Sequence, residues 1–259
     1  MNDDQQVLQT TEFELVLTDD VSIIQKRVFE NLDWHNEYQP DLTFKNCTII
    51  ESDFTDANLM GLRFEQCSIK HCDFSRAQLQ DAVFEDCIFY DENQQKGCDF
   101  YQADLTRACF EGCNISANNF ARAELFDIKI DNCQAIESDF SLANFTNIVS
   151  RKVLFSLAQL TNTNFKYANF EGAHLEKCNL SGSQFVATIL SRVNLENADL
   201  SHAQFSPSQI DGLSICGADF RHSEISDIDI REIDMEGVKI SEWQMPAIIE
   251  ALGMVISTD

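Results

Sequence analysis

The chain has 259 residues, with 43 acids against 18 bases and a formal net charge of −25. So acidic a surface excludes direct binding to nucleic-acid phosphates, which takes clustered Lys and Arg, and it disfavours an anionic membrane surface. Hydrophobic residues make up 44% of the chain, which excludes a disordered acidic tail, and 20 Phe and 10 Cys stand beside only 9 Gly and 3 Pro.

Residues 1–41 carry 10 acids and 2 bases. The start, Met1-Asn2-Asp3-Asp4, has no basic stretch and no apolar stretch of the kind a secretory signal uses. Nowhere does an apolar run approach the roughly 18 residues of a membrane span. A cytoplasmic location is expected, where disulfides are rare. Glu12-Phe13-Glu14-Leu15-Val16-Leu17 alternates as a strand does. Ile24, Phe29 and Trp34 fall five residues apart. The segment is expected to form an acidic N-terminal extension and cap.

Residues 42–240 repeat every five residues: Cys72-Asp73-Phe74, Ala77-Gln78-Leu79, Ala103-Asp104-Leu105, Ala168-Asn169-Phe170, Ala218-Asp219-Phe220. The large apolar residue is the centre of each unit. Centres run from Phe44 to Phe89, slip phase once, and continue from Phe100 to Ile240. Of these 39 centres 37 are Phe, Leu, Ile or Met, with Ala135 and Ser150 the exceptions. That proportion excludes chance patterning. The period is neither the 3.6 of a helix nor the 2.0 of an uninterrupted strand. A short extended segment puts the centre and the residue two before it on one side, and a turn after each segment completes five. Such coils bury their interiors only by stacking, at about 4.8 Å.

Eight of the ten Cys fall two before a centre: Cys47, Cys67, Cys72, Cys87, Cys98, Cys113, Cys133 and Cys178. They read as small buried side chains that share their layers with Phe and Leu; only one of them, Cys72, has a His beside it in sequence, His71, which is too little to complete a metal shell. His202 and His222 are spaced as surface neighbours. No Ser-His-Asp or Cys-His arrangement, phosphate loop or zinc signature is present, so no catalytic residue, cofactor or metal is expected. The residue after one centre in every four reads Glu65, Glu85, Glu111, Asp131, Arg151, Glu171, Ser191, Asp211, Arg231. Provided the interruptions leave the face order unchanged, Glu65, Glu85, Glu111, Asp131, Glu171 and Asp211 form an acidic column. The bland reading is a solvated face; the sharper one is a strip that imitates DNA. Residues 42–240 hold 30 acids and 16 bases, about half the charge density of a duplex, which carries one charge per roughly 1.7 Å.

Two segments interrupt the pattern. Tyr90, Asp91, Glu92, Asn93, Gln94, Gln95, Lys96 and Gly97 are polar and read as a projecting loop. Around 146–154 the phase survives but Ser150 is a poor centre. Asn147, Ile148, Val149, Ser150, Arg151 and Lys152 are expected in a second projection. After Ile240, Ser241-Glu242-Trp243-Gln244 resembles a capping box, and Met245, Ile248, Ile249 and Leu252 fall on one helical face. Pro246 suits the first turn and Gly253 the C-cap. Met254-Val255-Ile256 reads as a short strand. Residues 241–259 are thus expected to cap the stack or join two copies.

The five-residue pattern is that of the pentapeptide-repeat proteins. The resemblance implies an all-β solenoid, a right-handed quadrilateral β-helix with a C-terminal α-helix. From about residue 60 onward the chain resembles the Qnr quinolone-resistance family. The matching stretches are Cys87-Ile88-Phe89-Tyr90-Asp91 through Gln95-Lys96-Gly97-Cys98, Leu160-Thr161-Asn162-Thr163-Asn164-Phe165, Tyr167-Ala168-Asn169-Phe170, Leu175-Glu176-Lys177-Cys178, Asp229-Ile230-Arg231, and Gly237-Val238-Lys239 with Leu252-Gly253. The resemblance implies a non-enzymatic, DNA-mimicking homodimer that binds DNA gyrase, with topoisomerase IV a second target, and protects them from quinolones. It implies functional loops at about 90–97 and 146–154 and a dimer interface at Trp243, Met245, Ile248, Ile249, Leu252 and Met254. It implies no direct nucleic acid, membrane or small-molecule substrate. The rival reading is an interaction or scaffold protein with a partner other than a topoisomerase.

Overall fold

The computed structural model describes residues 7–8, 23–39, 41–150, 153–226 and 228–255. The chain winds into a β-solenoid of about ten turns ended by a short helix. Each regular coil takes 20 residues, five per face. On the first face the strand Thr43–Lys45 pairs in parallel with Arg63–Glu65, so that Phe44 lies over Phe64 and Lys45 over Glu65. That ladder extends through seven strands, from Ile23–Gln25 to Gln159–Thr161.

The centres point inward and stack on themselves. One column runs Phe54, Phe74, Phe100, Phe120, Phe140, Phe170, with ring centroids 4.6–4.9 Å apart and planes within 9° of parallel. The strand spacing of about 4.8 Å imposes this face-to-face arrangement. Rings of adjacent columns meet edge-on, as Phe100 and Phe110 do at 87°, which suits the aromatic quadrupole.

The shortage of Gly has a structural explanation. The residue two after most centres turns the corner with a positive φ, and most such residues are not Gly: Asn46 (54°), Glu51 (51°), Asp56 (59°), His71 (55°), Leu142 (56°). A left-handed residue costs about 1–2 kcal/mol, so the corners need compensation. Their amides supply it by bonding to the next coil, as the Asn46 N–H does to the Glu65 carbonyl at 2.9 Å.

The solenoid begins ahead of residue 42. Ile24, Phe29 and Trp34 are buried centres of a further coil, and Val7–Leu8 pairs in parallel with Val28–Phe29. The strand expected at 12–17 lies outside the described residues.

The two interruptions leave the stack at corners. The first inserts six residues between the second and third faces, and the coils on either side stay in register, Glu85 over Glu111. The second inserts ten between the fourth face and the first. Thr146–Ser150 and Val153–Ser156 pair antiparallel there as a β-hairpin, and Ile130 stacks directly on Leu160. The unbroken phase through Ser150 is therefore misleading: an insert of two repeat lengths preserves the period but shifts every later residue by two faces.

All eight Cys that precede a centre by two are buried, while Cys109 and Cys216 are half-buried. Five form a ladder on the second face. The amides of Cys47, Cys67, Cys87 and Cys113 each donate to the next sulfur, in Cys67, Cys87, Cys113 and Cys133, at 3.3–3.4 Å. Thiols here are small polar fillers that accept core N–H groups. Burial pushes the Cys178 thiol up to about 12, which suppresses the reactive thiolate. A thiol-reactive chromophore is expected to label at most Cys109 and Cys216 in the native protein and all ten after denaturation. Rapid native labelling of more than two would contradict this packing.

At the C-terminus the Ser241 amide donates to Gln244 Oε1 at 2.6 Å. A 3₁₀ turn, Glu242–Gln244, leads into the helix α1, Met245–Ala251. Gln244 is buried and plugs the last coil, its Nε2 donating to the Phe220 and Ser223 carbonyls at 2.9 Å. The strand expected at Met254-Val255-Ile256 does not form over its described part. Met254 and Val255 are exposed and join no strand, and the Met254 amide instead donates to the Ile249 carbonyl at the helix end, at 3.1 Å; Ile256 lies outside the described residues.

Candidate partner-binding surface

Three surfaces stand out from an otherwise regular rod: the two projections, the acidic columns and the C-terminal end.

The first projection is a tight hairpin. Asp91 and Lys96 exchange backbone hydrogen bonds, at 2.9 and 3.3 Å. Asp91 Oδ1 accepts the amides of Asn93 and Gln94, and its other oxygen lies 2.9 Å from His71 Nε2 in the preceding coil. Glu92, Asn93, Gln94, Gln95 and Lys96 are exposed, Tyr90 is half-buried and Gly97 is buried. A Cβ on Gly97 would lie 2.6 Å from the Ala117 backbone, so only glycine lets the chain return to the stack there.

The hydrogen bond from His71, joined by those from the Asn93 and Gln94 amides, holds the Asp91 carboxyl below its ordinary value. A lowered carboxylate pKa contributes stability that is complete above the unfolded value of about 3.9 and is lost as pH falls through the folded one. The Asp91 carboxyl carbon, followed by NMR, is therefore expected to titrate below about 3.9. The Asn93 and Gln94 amide signals should lose dispersion in the same step. A midpoint at or above the ordinary value would show that His71 does not pin the hairpin.

In the second projection Asn147 is exposed and the backbone of Ile148, Val149 and Ser150 belongs to the hairpin strand. Arg151 and Lys152 lie outside the described residues.

The acidic column differs from its expected form. Glu65, Glu85, Glu111 and Asp131 do stack on the first face, but Thr161 follows Asp131. Glu171 and Asp211 stand on the third face, because the ten-residue insert shifts them by two faces. The first-face acids are also largely neutralised. Lys45 pairs with Glu65 at 2.8 Å, Arg63 with Glu85 at 3.2 Å and Lys129 with Glu111 at 2.9 Å.

A second acidic ladder lies on the third face, one residue before each centre: Asp33, Asp53, Asp73, Asp99, Asn119, Asp139, Asn169, each in bridge register with the next. Every one accepts the amide two residues on, at 2.8–3.2 Å. Among the described residues none of its five aspartates takes part in an ion pair. Arg76, which is near Asp53 and Asp73, is engaged by Asp56 at 2.7 Å. On the adjoining fourth face Asp104 stacks on Glu124. The sequence held a signal for this ladder, the 20-residue spacing of Asp33, Asp53 and Asp73, which a search confined to the position after the centre passes over.

At the C-terminal end Trp243, Met245, Leu252 and Met254 are exposed and Ile248 and Ile249 half-buried. Ile248 and Trp243 line a cleft of about 240 Å³ with Ile225, Ile228 and Ile230. Among the described residues no group of three or more His, Cys, Asp or Glu is placed to hold a metal ion, and no helix is long and apolar enough to cross a membrane.

A stack of five-residue faces with inward centres defines a pentapeptide-repeat protein. Family models agree: pentapeptide repeats match residues 43–76, 57–91 and 96–120, and a pentapeptide repeat region matches 150–235. No significant match is found among curated protein sequences. Among solved structures, full-length QnrB1, a plasmid-mediated fluoroquinolone resistance protein, is 33% identical, with a TM-score of 0.76 over 82% of this chain and 100% of that one. A trypsin-treated variant of QnrB1 matches 91% of this chain and 99% of its own, at 31% identity and a TM-score of 0.73. The chain belongs to the pentapeptide-repeat family and, within it, to the Qnr group.

Proposed function

We propose that this chain is a non-catalytic, cytoplasmic homodimeric rod that occupies the DNA-binding surface of DNA gyrase, and of topoisomerase IV, and protects the enzyme from quinolones. The carrying observation is the likeness to QnrB1, a fluoroquinolone resistance protein, over its whole length. The acidic ladders give the reading a physical basis. A column of fixed carboxylates about 4.8 Å apart offers a basic groove an array of anions comparable with a phosphate backbone. The unpaired third-face ladder supports this role better than the first-face column, whose charge is already spent on Lys and Arg. Exposed Trp243, Met245, Leu252 and Met254 fit an isologous contact between two copies.

The test is gyrase supercoiling in the presence of ciprofloxacin, with and without the purified protein. Supercoiling is expected to recover with the intact chain and to remain inhibited when residues 92–95 are deleted. Failure of the intact chain to restore supercoiling at any ratio would overturn the proposal.

A further inference from the structure

Beneath the first hairpin the rod carries a polar groove of about 340 Å³, and the column of corner residues accounts for it. Successive second-face corners hold Glu51, His71, Ala117, Glu137 and Tyr167, with the hairpin emerging between His71 and Ala117. Ala117 is the one short side chain among them, and it leaves a notch one coil deep. The hairpin overhangs this notch and brings Glu92 to one wall; Glu137 stands on the other. Asn114 and Gln134, in bridge register, present amides at the side. Tyr90 and Ile136 supply an aromatic and an aliphatic surface. None of the lining residues is basic, and among the described residues neither Glu92 nor Glu137 takes part in an ion pair. The His71–Asp91 contact at 2.9 Å holds the overhang in place, so the groove is formed before any partner arrives.

We infer that this groove is a socket for an arginine side chain of the protein partner. Two carboxylates on facing walls complement one cation. A guanidinium carries five donors in a plane, enough to reach both carboxylates; the Asn114 and Gln134 oxygens, which already accept from the Ser116 amide and Asn164 Nδ2, have only a second lone pair to add. Its flat face also suits Tyr90. An ammonium offers neither the plane nor the spread of donors. The partner role rests on the reading of the chain as a protein-binding rod; the socket itself does not.

The experiment titrates the full-length protein with argininamide, and separately with lysinamide, by NMR. Saturable shifts confined to residues 90–95, 114–117 and 134–137 are expected, with a midpoint on the order of 1 mM and weaker binding of lysinamide. Glu137→Gln should weaken binding about threefold. Ala117→Leu should abolish it by filling the notch, and Leu142 at a φ of 56° confirms that such a corner accepts leucine. Shifts that do not saturate, that match for lysinamide, or that persist in Ala117→Leu overturn the socket. The supercoiling assay separates the two claims. If argininamide binds but the parent chain does not protect gyrase, the functional reading falls and the socket stands. If both hold, Ala117→Leu should require several-fold more protein for protection; unchanged protection overturns the socket's role in binding the partner.

Discussion

Replacing Phe100 with alanine is expected to lower the unfolding free energy by about 3–5 kcal/mol. Phe100 is fully buried. It stacks between Phe74 at 4.8 Å and Phe120 at 4.9 Å, and it meets Phe89 and Phe110 edge-on. Removing it takes away two stacking faces and leaves a void that the coils cannot close, because hydrogen bonds between coils fix their spacing on every side. Phe100→Leu keeps an apolar side chain but loses three ring carbons and both stacking faces, and should cost clearly less than the alanine variant, about 1–2 kcal/mol. Urea unfolding curves of the two variants give the comparison. A loss below about 2 kcal/mol for Phe100→Ala would mean that the aromatic column does not carry the stability assigned to core phenylalanines. Phe100 also follows the first hairpin, so its loss should loosen the return of the chain through Gly97 and Cys98.

The second large effect concerns charge and leaves the core untouched. Changing Asp53, Asp73, Asp99 and Asp139 together to asparagine should raise the protein needed for gyrase protection about five- to tenfold, on the basis of a few tenths of a kcal/mol for each exposed charge. The fold should tolerate the change. Asn119 and Asn169 already occupy the same column, and their side-chain oxygens accept the Ala121 and Glu171 amides at 3.0 Å. Asparagine therefore retains the turn and removes only the negative potential. The matched control, Glu65, Glu85 and Glu111 to glutamine, removes acids already compensated by Lys45, Arg63 and Lys129, and should change protection less than about threefold. Equal losses in the two variants would show that total acidity, and not the third-face ladder, drives binding. Loss of protection that does not weaken at high salt would exclude electrostatic mimicry altogether.

The core was legible in the sequence because its determinant is local. A centre such as Phe74, with Cys72 two before it, specifies one face without reference to any other part of the chain. The thiol ladder follows from the same frame. What could not be read is the order of faces, which depends on how long an insert is and not on its content. Six extra residues after Phe89 break the phase and announce themselves. Ten after Phe145 do not, so an unbroken count of fives places Glu171 and Asp211 in the first-face column although they stand on the third face. Ile24, Phe29 and Trp34 hold the phase, but Arg27 and Leu32, two before Phe29 and Trp34, are not small, which hides the first coil. Partner choice is a property of exposed columns. It became readable only once the register had fixed which acids have a cation beside them.

The corners at which the two projections leave the rod have a mechanical implication. One lies between the second and third faces, the other between the fourth and the first, diagonally opposite across a nearly square section. They are separated along the axis by about two and a half coils, or roughly 12 Å. No flat surface can touch both at once. A single partner that grips both must straddle the rod like a saddle; otherwise each projection has its own client. In either case their offset is set by counting coils, and it can change only in whole steps.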